Sequence, residues 1–71
     1  MGDVIDPYLV DLFQKKRAAE IAYYAYRAQY QMGMSQEDEI AFDIESCRLF
    51  LASVYADAQY ENEVRRVASV Q

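Results

Sequence analysis

Histidine is absent from the chain, and cysteine occurs once, at Cys47. Without histidine the commonest general base is missing, as is the Glu-x-x-His pattern by which helical bundles hold paired iron ions. One thiol makes neither a zinc site nor a disulfide staple. Glycine occurs twice and proline once, too few for a phosphate-cradling loop or for the many turns of a sheet protein. No stretch nears the roughly 18 consecutive apolar residues that a membrane-crossing helix needs. The first residues, Met1 to Asp6, are acidic rather than basic, so no leader is read there. A lone thiol then fits a reducing cytoplasm, the expected location. These absences argue against an enzyme, a bound cofactor, a metal site and a membrane partner.

Charge narrows the range further. Seven Lys and Arg stand against twelve Asp and Glu, a net charge of -5, which gives no general attraction to nucleic acid. The acids are dispersed among basic residues, so a DNA mimic is not read either. Carboxylates four apart, Glu39 with Asp43 and Asp57 with Glu61, read as solvated charges rather than as a cation site.

What is present is helix. Hydrophobic residues make up 54% of the chain and alanine occurs ten times, a composition that favours helices over sheet or disorder. Residues 1–71 form one domain, of a size at which a single core barely offsets the entropy of ordering the chain. Asp6 suits an N-cap, Pro7 the first helical position and Gly33 a left-handed C-terminal cap, so a first helix is expected from about Pro7 to Met32. After a turn at 33–35, Ser35-Gln36-Glu37-Asp38 opens a second helix from about Gln36 to Arg66, followed by a short tail. The expected fold is all-α: a two-helix antiparallel hairpin that dimerises into a four-helix-bundle-like assembly.

Two apolar stripes run along the second helix. Ile40, Ile44, Cys47, Leu51, Val54 and Ala58 alternate spacings of four and three, which predicts the hairpin's own core, with Cys47 buried as a small hydrophobe. Phe42, Leu49, Ala56, Tyr60 and Val67 form the opposite stripe, diluted by Ser46 and Ser53. On the first helix Ala18, Ile21, Ala25 and Ala28 make a small-residue face that permits close approach of another helix. The expected dimer interface is therefore Ala18, Ile21, Ala25, Ala28, Phe42, Leu49 and Ala56. Folding about Gly33 sets Leu12 near Tyr55 and Leu9 near Ala58, so the second helix beyond about Asn62 should overhang. Tyr60, Val64 and Val67 would then fray, fold against Val4 and Ile5, or dock on another chain.

A mixed face of the first helix remains: Phe13, Arg17, Glu20, Tyr24, Arg27 and Gln31. Arginine and tyrosine are favoured at protein-binding hot spots and also suit phosphate contact with base stacking. The expected partner-binding residues are Phe13, Arg17, Tyr24, Arg27, Tyr60, Val64 and Val67. The expected function is that of a small interaction protein, a homodimeric hairpin that inhibits, sequesters or adapts a larger protein, as small regulators of phages and other mobile elements do. The alternative is a structured-RNA binder using the same face. In shape alone the arrangement resembles the plasmid RNA-binding helical hairpins, whose dimeric four-helix bundle presents such residues on its first helices.

Overall fold

Asp6 and Ser35 set the two helix starts. In the computed structural model, which describes residues 5–70, the Asp6 carboxylate accepts the Tyr8 amide at 3.0 Å and Pro7 opens α1 (Pro7–Arg27). Ser35 Oγ accepts the Asp38 amide at 3.1 Å at the head of α2 (Gln36–Ser69), where Glu37, Asp38 and Glu39 meet the positive end of the helix dipole. The two helices pack on each other as a hairpin, so the all-α expectation holds. Both sequence-read helix starts coincide with the observed ones.

The end of α1 does not coincide. It stops at Arg27, well short of Met32. The Gln29 amide donates to the Tyr26 carbonyl at 3.0 Å and the Tyr30 amide to the Arg27 carbonyl at 3.2 Å, three-residue steps that tighten the chain out of α geometry. Tyr30 thereby folds back onto α2. Its ring lies 5.5 Å from that of Phe42 and its hydroxyl donates to the Glu39 carboxylate at 2.9 Å. Gly33, at φ +88°, turns the connection instead of capping α1.

This longer connection shifts the register. Phe13, not a residue near Pro7, meets Tyr60, with ring centroids 5.6 Å apart, and Lys16 reaches Asp57 at 3.6 Å. Tyr60, Val64 and Val67 are half-buried, and α2 stays helical to Ser69. The expected overhang beyond Asn62 is thus corrected: the early end of α1 slides α2 along it until the C-terminal turns are covered. Val4 lies outside the described residues.

The second correction concerns which side of α2 faces inward. The seam is Leu12, Lys16, Ala19, Tyr23 and Tyr26 on α1 against Phe42, Ser46, Leu49, Ser53, Ala56 and Tyr60 on α2, again alternating four and three. Among the described residues only Leu12 (4% exposed) and Phe42 (6%) are fully buried apolar residues, with Ser46 and Ser53 buried beside them. Phe42 stacks on Tyr26 at 4.8 Å and Phe50 receives Tyr23 at 5.4 Å. Broad rings from α1 need small neighbours across the seam, and Ser46, Ser53 and Ala56 leave that room. Ile40, Ile44, Cys47, Leu51 and Val54, expected to form this core, face outward.

Candidate interaction surfaces

The reversal leaves a stripe of aliphatic side chains uncovered. Ile44 is 65% exposed and Leu51 59%, and Ile40, Val54 and Tyr55 are exposed beside them. At about 100° per residue these positions lie on the pole of α2 opposite α1. Among the described residues nothing in the hairpin covers them. Cys47 sits in the middle of the stripe with its thiol exposed, so its expected burial is corrected for the same reason.

The residues assigned to a dimer interface are divided by this arrangement. Phe42 is buried inside the hairpin, and Leu49 and Ala56 are half-buried in the same seam. These three are not available to a second copy while the hairpin is closed. Ala18, Ala25 and Ala28 are exposed, as is Ile21 at 61%. They lie on the flank and back of α1, where Ile21 is the only large aliphatic side chain among them.

The expected partner-binding residues fall into two groups. Arg17, Tyr24 and Arg27 are exposed along one side of α1, and among the described residues no ion pair engages either arginine. Tyr24 leans its ring edge on Tyr23 at 5.2 Å, which orients it without covering it. Glu20, between these residues, turns toward the seam. One of its carboxylate oxygens is buried without a hydrogen-bond donor, so it dilutes the basic character of this side less than its place in the sequence suggests.

Phe13 and Tyr60 come together at the far end of the hairpin. With Ile5, Leu9 and Val10 they line a shallow apolar groove of about 250 Å³. Lys16 lies over both rings, its Nζ 5.6 Å from the Phe13 centroid and 5.3 Å from that of Tyr60, while it also pairs with Asp57. Cation–π contact and the ion pair hold Lys16 over the seam, so its methylene stem covers apolar surface. Val64 and Val67 lie farther along α2 and do not line the groove.

Elsewhere charge is paired locally. Arg48 binds Glu45 in a two-pronged contact at 3.0 and 2.8 Å, and Arg66 binds Glu63 one helical turn away in the same manner. These hydrogen bonds hold both carboxyl groups below the usual carboxylate range and push both guanidinium groups up. The Tyr30 phenol is raised by its hydrogen bond to Glu39 and by the nearby acidic charge. Among the described residues no cluster of three or more acidic or cysteine side chains gathers where an ion could sit, and no helix is long and apolar enough to cross a membrane. Comparison with protein families, with curated proteins and with solved structures returned no match, so the likeness of shape to the RNA-binding hairpins gains no support from them.

Proposed function

We propose that this protein is a small non-enzymatic interaction protein, a homodimer of helical hairpins that docks on a larger protein and inhibits, sequesters or adapts it. One observation carries this reading: the hairpin leaves too much surface bare, with Ile21, Tyr24, Ile44 and Leu51 among its exposed large side chains. Its accessible surface is 5769 Å², whereas a folded monomer of 8.3 kDa is expected to expose about 4,600 Å². The excess, roughly 1,200 Å², is more than the about 800 Å² that each partner of a standard protein interface contributes. Its dimensions agree. The molecule measures 57 × 19 × 13 Å with a radius of gyration of 16.8 Å, against about 11 Å for a compact domain of this length. It is a slab one helix thick, and such a slab buries side chains only along its single seam.

Self-association covers part of that surface, and the α1 side with Arg17, Tyr24 and Arg27 is assigned to the larger partner. Tyrosine and arginine are the residue types that most often anchor protein interfaces. The test is affinity capture with the full chain as bait, comparing it with a Tyr24→Ala/Arg27→Ala double variant and sequencing any RNA in the same eluate. A protein retained by the parent chain and lost with the variant is the expected result. Structured RNA that is released between about 50 and 200 mM salt and is lost with Arg17→Ala/Arg27→Ala would replace this reading with the RNA-binding one.

A further inference from the structure

We infer that the outer stripe of α2 is a parallel helix–helix seam with a second copy of this chain, centred on Cys47. This rests on the homodimer proposed above and assigns its face and its polarity. The stripe has the periodicity of such a seam: Ile40, Ile44, Cys47, Leu51, Val54 and Ala58 alternate four and three apart over five intervals, and the large aliphatic members are 47 to 65% exposed. It lies opposite α1, so two hairpins meet back to back with each α1 outside and nothing to clear. Glu37 and Glu61 bound it at either end and confine the pairing to the residues between them.

Charge beside the stripe sets the direction. Asp43 flanks one edge and Arg48 the other. In a parallel, in-register pair, a residue on one edge meets the residue five positions later on the opposite edge of its partner. Asp43 then faces Arg48 of the second copy, twice by symmetry, and Phe50 faces Tyr55. An antiparallel pair that keeps the same apolar layers sets Asp43 against Asp57 of the second copy, twice, and Arg48 against its own duplicate. The bounding acids do not discriminate, because like charges meet in both arrangements, Glu37 and Glu61 each with its own copy or with each other. Attraction in one arrangement and repulsion in the other therefore favour the parallel pair. Asp57 is partly neutralised by Lys16 at 3.6 Å, which softens the antiparallel penalty without reversing it. Arg48 already holds Glu45, and its five donors serve a second carboxylate as well.

The test begins with the full chain by light scattering at tens of micromolar, where a mass of two chains is expected. Oxidised glutathione is then added. In the parallel pair the two Cys47 residues meet across the axis, within the Cα separation of about 5.5 to 6 Å that a disulfide accepts, so most of the protein should run as a covalent dimer on a non-reducing gel. Two further variants on a Cys47→Ser background, Ile44→Cys and Val54→Cys, should each cross-link to themselves. Leu51→Asp, at an exposed position that leaves the hairpin seam intact, should halve the mass while helical circular dichroism is retained. A two-chain mass that survives Leu51→Asp, or cross-linking only when the Ile44→Cys and Val54→Cys proteins are mixed, overturns the face or the polarity and leaves the homodimer standing. A one-chain mass overturns both.

Discussion

The two long sides of α2 differ in apolar content, and the more apolar one is left uncovered. The inner side is Phe42, Ser46, Leu49, Ser53, Ala56 and Tyr60, covered by the rings and long side chains of α1; the outer is Ile40, Ile44, Cys47, Leu51, Val54 and Ala58, which stay exposed. By transfer energy alone the outer side deserves burial more. Shape reverses the order. Tyr23 and Tyr26 project from α1 as broad plates, and small serines beside Phe42 and Phe50 let those plates settle at centroid distances of 4.8 to 5.4 Å, the range in which aromatic pairs gain beyond area burial. A row of branched aliphatic side chains would hold the plates away.

The largest expected effect separates the two sides directly. Phe42→Ala removes the most buried large side chain of α2 and both of its tyrosine contacts, a change that costs roughly 3 to 5 kcal/mol in buried positions. A hairpin with one seam has little else to hold it, so helical circular dichroism should collapse at every protein concentration. Leu51→Ala, a deletion of similar chemistry on the outer side, should leave a dilute sample as helical and as heat-stable as the parent. Its cost should appear only as loss of the concentration dependence of the melting temperature that a dimer confers. Equal losses for both variants in dilute solution would erase the distinction between the sides.

An intermediate effect is expected at the caps, which belong to neither side. Ser35→Ala should cost about 1 kcal/mol through the lost bond to the Asp38 amide, read from thermal melts. Here the sequence was most legible. Asp6, Pro7 and Ser35 mark helix starts because a short polar side chain or a fixed φ acts locally, and local effects survive into the structure unchanged. The end of α1 was not legible, because it is decided by Tyr30 finding Phe42 and Glu39 across the turn. That tertiary contact shifts the whole register, and with it the fate of Tyr60, Val64 and Val67. The choice of inner side was hidden for a related reason: apolar periodicity scores each side of α2 alone, whereas the decision depends on fit to α1. The aromatic run Tyr23, Tyr24, Tyr26 and Tyr30 opposite Ser46 and Ser53 was the available signal. For the candidate sites, exposure of Arg17, Tyr24 and Arg27 followed from the α1 pattern, while the meeting of Phe13 with Tyr60 depended on the shifted register.

A smaller effect sharpens the account of the inner side. Ser46 Oγ is buried without a hydrogen-bond partner, whereas Ser53 Oγ donates to the Phe50 carbonyl at 2.8 Å. If the seam needs these residues for their size alone, Ser46→Ala should stabilise the hairpin by about 0.5 to 1 kcal/mol, since it removes an unsatisfied hydroxyl and improves helix propensity. Ser53→Ala should be close to neutral, because the bond it loses is one the helix makes with itself. Ser46→Leu should destabilise by crowding the tyrosine plates. Urea melts of the three variants give the order, and a loss of stability in Ser46→Ala would show that the hydroxyl, rather than the space it leaves, matters to the inner side.

The smallest expected effect is of pH, and its sign follows from two contacts. Glu63 is held below the usual carboxylate range by Arg66, so its contribution is full at neutral pH and is lost as pH falls through that lowered value. Tyr30 is raised by Glu39, so its contribution is full below the ordinary tyrosine value and is lost as pH rises through the raised one. Both contacts are solvent-accessible and modest, yet they sit at opposite ends of the molecule, Glu63 near the covered end of α2 and Tyr30 at the turn. Neither belongs to the outer stripe. Acid should therefore loosen the C-terminal turns first and alkali the turn between the helices, each visible as local gain in amide exchange in the corresponding segment. Glu63→Gln should remove the acid-side change and Tyr30→Phe the alkaline one. Acid-side loosening of the C-terminal turns that persists in Glu63→Gln would mean that other charges hold the end of α2 against α1.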